Sequence, residues 1–575
     1  LANESASYTI AKAAEREGGR TGVCGGTPFR QNPASARAAP LSSSMHRRTL
    51  LLSSAALLAF ERSAMAVTRA ASAPRPADPA TAVAAAAAMA AGTLTAERLV
   101  RECLARIAAI DRAGPRLHSV IELNPDAVAI AKALDAERNA GRVRGPLHGM
   151  PVLVKDNIAT ADRMSTSAGS LALDGIRAPR DAHVVKHLRD GGAVILGKTN
   201  LSEWANIRSS RSTSGWSARG GLTRNPYALD RNTSGSSSGT GAAIAAGLAP
   251  LGVGTETDGS IVSPASICGL VGLKPTVGRM SRDGIVPIAH TQDTPGPMAR
   301  TVADVALLYA AMSGRDDADP ATAAMPADRA AAATVALPGD ALRGARFGVA
   351  RAFFTGNDAV DGLIEQAIAV MKRLGAEVVD PIDLPLPTYS DAELRILLYE
   401  LKADLPKYLA AFAPNAPVKT LADVIAFNRT HHDREMAWFR QELFEKADAL
   451  GGLDSKEYLD ALAECRKGAR DDGIDRVLKT HRLDALIAPT GGPAWLIDPV
   501  NGDHVGASFS TPAAVAGYPH LTVPAGLADG LPIGVSFVGP AWSEERLLAY
   551  GHSYEQATRL RSEPTYRRVS TPPES

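Results

Sequence analysis

In "TAERLVRECLARIAAIDR", from Thr95, the apolar positions Leu99, Cys103, Leu104 and Ile107 recur every three or four residues. That period predicts a capped amphipathic helix with Cys103 in the core. "GMPVLVKDN" is a short apolar run that predicts a strand entering a turn. "DAHVVKHLRDGG" predicts a helix stopped by Gly191 and Gly192, followed by the strand "AVILGKTN". Further apolar strands are expected in "ARFGVA" from Ala345, "DALIAPT" from Asp484, "LTVPAG" from Leu521 and "GVSFVG" from Gly534. Helices separated by short buried strands indicate an α/β protein with a largely covered sheet. Residues 314–340, rich in Ala, Asp and Pro, read as a surface linker, and residues 390–480 as a helical layer or insertion. No internal repeat and no boundary between two independent domains is evident.

Composition narrows the partners. Of the 575 residues 45% are hydrophobic and 5% aromatic, enough for a large aliphatic core. The 62 basic and 61 acidic residues nearly cancel, with no long run of either sign. That argues against nucleic acid or an anionic membrane as the main partner. Cys24, Cys103, Cys268 and Cys465 form no CxxC pair, which argues against a zinc site or a disulfide framework but leaves one isolated disulfide open. His183 and His187, one helical turn apart, have a metal-binding spacing without any HExxH motif, and read as a solvated helix face. His290 lies near Gln292 and Asp293 and is not cast as a base; His431 and His432 carry no signal.

At the N-terminus, residues 1–44 read as an upstream or disordered segment, with Met45 as the expected start. "MHRRTLLLSSAALLAF", followed by "AMA" at 64–66, has the layout of an export signal over 45–66. Arg47 and Arg48 suggest the twin-arginine route, giving a periplasmic or secreted expectation, or a cytoplasmic one if the leader is inactive. Residues 67–85 are a Pro/Ala-rich spacer, and residues 86–575 the expected single catalytic domain.

Three stretches carry chemistry. "VGTETDGSIVSPAS", 253–266, gathers small residues around Ser260 and so presents backbone N–H groups, which stabilise an oxyanion. "RNTSGSSSGTGAAIAAGLAP", 231–250, is a Ser/Gly loop followed by an Ala-rich helix. Its Gly235–Gly239 segment matches G-x-S-x-G around Ser237, yet "NPYALDRNT" before it is not the buried strand that motif requires. A flexible linker is the plain alternative. Lys155, ending an apolar strand, either snorkels or pairs with Asp156, or is desolvated enough to be a neutral base.

In order and spacing these stretches, with "GLVGLKPTVGRMS", "ILGKTNLSEWA" and the closing "GLPIGVSFVGPAWSEERLLAYGHSYEQAT", resemble the amidase signature family from about Thr95 to Arg561. The resemblance implies a large twisted mixed β-sheet covered by helices on both faces. It implies a triad of Ser260 as nucleophile, Ser236 behind a cis peptide bond as relay, and neutral Lys155 as base. Backbone N–H groups of Thr257, Asp258, Gly259 and Ser260 would hold the oxyanion, and no metal or cofactor is required. Asp258 and Val262 depart from the family's usual glycine and arginine, and Gly239-Thr240-Gly241 from its Gly-Gly run. A carboxylate at Asp258 would repel an oxyanion unless it points into a hydrogen-bond network.

Within the family the variations look most like peptide amidases, which hydrolyse the C-terminal carboxamide of peptides. Trp216, Arg219 and Gln292 are then candidate substrate contacts, and a monomer is compatible. The alternatives are aliphatic, aryl or fatty acyl amides, glutamine in a tRNA amidotransferase, and a non-catalytic peptide-binding protein.

Overall fold

The apolar runs meet in one sheet of eleven strands in the computed structural model, which describes residues 81–329 and 335–569. Chain order gives β1 (Val120–Leu123), β2 (Pro151–Lys155), β3 (Val194–Thr199), the small hairpin β4 (Trp216–Ser217) and β5 (Gly221–Leu222), and β6 (Leu251–Glu256). These are followed by β7 (Val271–Lys274), β8 (Thr294–Ala299), β9 (Arg346–Val349) and β10 (Glu377–Val379). Last come β11 (Ala485–Pro489), β12 (His520–Ala528) and β13 (Leu531–Val538). Across the sheet they run β1-β3-β2-β6-β8-β7-β12-β13-β11-β9-β10, with β4 and β5 apart. The β3-β2-β6 group is parallel, the centre from β6 to β11 antiparallel, and β11-β9-β10 parallel again. Every residue of β2, β3, β6, β8 and β13 is buried, so both faces of the sheet are covered.

The helices follow from the same patterning. In Ala96–Arg106 the Thr95 side chain accepts from the Arg98 N–H, Leu99, Val100 and Cys103 are buried, and Arg98–Glu102 and Arg101–Glu97 pair on the outer face. His183–Asp190 ends at Gly191 as expected. Residues 390–481 are mostly helical, led by the long Ser390–Phe412. The Ala-rich helix Ser238–Ala245 has no exposed face. Its Gly239 makes that possible, because a Cβ there would sit 2.4 Å from the carbonyls of Asn200 and Ser119.

Three expectations change, and one option left open is closed. A capped helix, Ala82–Ala90, begins inside the stretch read as a spacer. Residues 314–329 are not a loose linker: Asp319 and Thr322 are buried, and Asp319 pairs with Arg282. His183 and His187 do not form a solvated face. They are half-buried with their rings 4.3 Å apart, and His183 Nδ1 lies 3.1 Å from Asp316. Cys103, Cys268 and Cys465 are buried free thiols, so no disulfide joins them. The upstream segment, the export signal, most of the spacer and Cys24 lie outside the described residues.

Candidate active site

Lys155 ends β2, and its register beside β6 carries the side chain to the end of that strand. The amine is fully buried. Nζ stands 2.8 Å from Ser236 Oγ, 2.9 Å from Thr255 Oγ1 and 3.1 Å from the Thr255 carbonyl. Asn157 Nδ2 donates to the same Thr255 hydroxyl at 2.9 Å and so fixes it. Burial outweighs the attraction of Asp293 and Glu256 and lowers the Lys155 pKa to about 7. A neutral amine in this cradle donates to the Thr255 carbonyl and keeps its lone pair for a hydroxyl proton. Lys155 neither snorkels nor pairs with Asp156, whose carboxylate turns to Ser167 and, at 3.4 Å, to Arg219.

Ser236 is fully buried, and the peptide bond that precedes it, Gly235–Ser236, is cis. The next residue ties the loop to the strand–helix turn, because the Ser237 N–H donates to the Ser260 carbonyl at 3.2 Å. Ser237 itself is not a free nucleophile. Its hydroxyl donates to the Thr255 carbonyl at 3.1 Å and accepts from the Thr255 N–H at 3.2 Å, with no exposure.

Ser260 follows Gly259, whose φ of +78° turns the chain out of β6 as only glycine does readily. Among the described residues the N–H groups of Thr257, Asp258, Gly259 and Ser260 find no acceptor, while those of Ile261 and Val262 donate to Glu256 Oε2. Four consecutive residues with unclaimed donors are suited to a developing negative charge. Asp258 does not oppose them. Its Oδ2 accepts from Thr511 Oγ1 at 2.6 Å, so the carboxyl group points into the Ser510–Thr511 turn. Burial raises its pKa, despite hydrogen bonds from Ser510 and Thr511. Glu393 is raised too, by burial first and by Asp258 second.

Ser260 and residues 257–259 line a cavity of about 480 Å³ that also receives Gly235. Ile207, Leu397, Leu443 and Trp495 give it apolar surface; Arg211, Asp503 and His504 give it charge. Asp503 accepts from the Ser214 N–H and from Trp495 Nε1 at 3.2 Å, and burial raises its pKa to about 6. Lys155 and Ser236 lie behind this cavity rather than on its wall.

None of the expected substrate contacts lines the cavity. Arg219 is bracketed by Glu122, Asp156 and Asp174. Trp216 packs edge-on against Phe439 with centroids 5.2 Å apart. Gln292 donates to Glu393 at 2.9 Å and to the Thr257 carbonyl at 3.3 Å, holding the loop from behind. Each of the three thus packs against or pairs with other side chains of the protein. The sequence reading missed the 495–510 segment, which follows β11. Position was the available signal, since ligands gather outside the carboxyl ends of strands in open α/β sheets. Among the described residues no group of three or more His, Cys, Asp or Glu side chains is arranged to hold a metal ion.

The family model described as Amidase matches residues 98–548. The chain belongs to the amidase family. As a member of it, the protein is an amide hydrolase. An amidase-family protein of Arabidopsis thaliana, named a probable amidase, is 39% identical over 489 residues, covering 82% of this chain and 89% of its own. The native peptide amidase from Stenotrophomonas maltophilia is 52% identical with a TM-score of 0.80, covering 85% of this chain and 99% of its own. A structure of peptide amidase with the competitive inhibitor chymostatin is likewise 52% identical, with a TM-score of 0.83 over 85% of this chain and 100% of its own.

Proposed function

We propose that this amidase hydrolyses the C-terminal carboxamide of peptides, with Ser260 as nucleophile, Ser236 as proton relay and Lys155 as base. The observation that carries the mechanism is the buried Lys155 amine 2.8 Å from Ser236 Oγ, directly behind the wall that bears Ser260. Neutral Lys155 takes the Ser236 proton as Ser236 takes that of Ser260. Ser260 Oγ adds to the amide carbon, and the oxyanion rests on the N–H groups of residues 257–260. Collapse breaks the C–N bond, and the proton returns from Lys155 through Ser236 to the departing amine. Ammonia leaves, Ser260 carries an ester, and water repeats the sequence to free the acid.

The peptide assignment is supported by the 52% identity to peptide amidase, which is also known in complex with the competitive inhibitor chymostatin. The serine-rich and apolar walls of the cavity suit backbone groups and an uncharged side chain. The test is a short peptide amide incubated with the enzyme, reading ammonia and product mass. Ammonia together with a carboxylate product, absent in Ser260→Ala, is the expected result. Cleavage of aryl or aliphatic amides alone would discard the peptide assignment and keep the triad.

The export-signal layout of residues 45–66 supports a periplasmic or secreted location. Replacing Arg47 and Arg48 by Lys is expected to retain the protein in the cytoplasm, read by fractionation. Equal export of both forms would discard the twin-arginine route.

A further inference from the structure

A second cavity, of about 700 Å³, is lined by Arg112, Arg116, Arg224 and Arg568, and shares no residue with the cavity around Ser260. Among the described residues its only acidic one is Asp230, which already has a partner. Four positive charges thus face one negative charge. All four arginines are exposed. Among the described residues none of their guanidinium groups pairs with a carboxylate or donates to a carbonyl. Elsewhere on the surface some exposed arginines bind a carboxylate, as Arg98, Arg101, Arg144 and Arg163 do, and others, such as Arg142 and Arg373, stand apart; what sets these four apart is that they line one cavity.

The backbone behind the arginines is fixed. The Arg116 N–H donates to the Ile110 carbonyl at 3.0 Å, that of Arg224 to Leu117 at 2.9 Å, and that of Ile497 to Asp230 at 3.0 Å. Arg116 is held at φ +56°, a left-handed conformation that favours glycine and costs an arginine about 1 kcal/mol. What arginine supplies there, and glycine lacks, is the guanidinium. Leu222, Leu229 and Ile497 add apolar surface to the same cavity.

We infer that this cavity binds a phosphorylated anion carrying at least two negative charges. Planar guanidinium groups present paired donors that match phosphate oxygens. A diphosphate-type group neutralises three or four guanidinium charges in little volume, which a single carboxylate does not. The apolar strip accepts the organic part. The near-zero net charge of the whole chain conceals this local excess.

The full-length protein is titrated calorimetrically with inorganic pyrophosphate, beside a variant with all four arginines replaced by Gln. Peptide amide turnover of the variant serves as the folding control. Wild-type binding that weakens with added salt, and falls about tenfold or more in the variant, is the expected result. Equal affinity in both proteins, or tighter binding of an oligoglutamate peptide than of pyrophosphate, overturns the inference. Sedimentation with phosphatidic acid vesicles, against phosphatidylcholine alone, separates the sources. Vesicle binding lost in the variant points to a lipid headgroup, and pyrophosphate binding without it to a free phosphorylated compound.

Discussion

At the scale of single residues, Lys155 is where pH enters the reaction. A base must be neutral, so kcat/KM is expected to rise with pH through about 7 and then level off. Lys155→Met is expected to remove that limb together with nearly all turnover, which a pH series on both proteins checks. The same burial has a stability sign. The folded pKa lies below the ordinary lysine value of 10.5, so between about pH 7 and 10.5 the unfolded chain holds the extra proton. Stability therefore rises with pH across that window on account of Lys155, and Lys155→Met gains most below it. Asp258 and Glu393 have the opposite sign, because burial raises both pKa values and the Asp258 carboxylate raises that of Glu393 further. Asp258→Asn removes a buried carboxylate. It is expected to stabilise the protein at neutral pH, with the gain shrinking as pH falls, as thermal unfolding at several pH values would show. Ser237→Ala is expected to stay active with some loss of stability, because that hydroxyl ties the loop to Thr255. If Ser237→Ala is as inert as Ser260→Ala, the assignment of the nucleophile fails.

At the scale of elements, the Ser238–Ala245 helix sets the position of the serine loop. Gly239→Ala forces a Cβ against two carbonyls at 2.4 Å. The expected cost is about 1–3 kcal/mol of overpacking, with turnover falling as the loop moves away from Lys155, measured by denaturant unfolding and by assay. The main elements were legible because each carries its own signal. Leu99, Cys103 and Ile107 have a helical period, and "PVLVK" is an unbroken apolar run. The residues expected for the chemistry were legible as motifs, and the structure brings Lys155 against Ser236. Val-Gly-Thr-Glu-Thr identified a backbone site because it offers little else. Substrate contacts were not legible. Arg219, Trp216 and Gln292 stand out as large polar or aromatic residues near the motifs, yet whether such a residue faces a cavity or a partner depends on distant segments. Glu122, Phe439 and Glu393 decide those three cases, and no local pattern links them. His183 and His187 failed for the same reason, since Asp316 covers one side from another part of the chain.

At the scale of the whole molecule, the sheet is not built in chain order. β12 and β13, among the last elements of the chain, lie between β7 and β11 and pair with both. Deleting residues 520–538 would leave two unpaired strand edges in the middle of the sheet. Such a protein is expected to be insoluble or inactive although Lys155, Ser236 and Ser260 are all retained; a soluble, active product would mean that the earlier strands close on their own. Seen from the ribosome, the three reactive side chains have emerged long before the pair that seals the sheet. For that interval the nascent chain carries a complete catalytic inventory and an exposed edge at β7. A holdase able to shelter that edge is therefore expected to matter more to its yield than any feature of the finished enzyme.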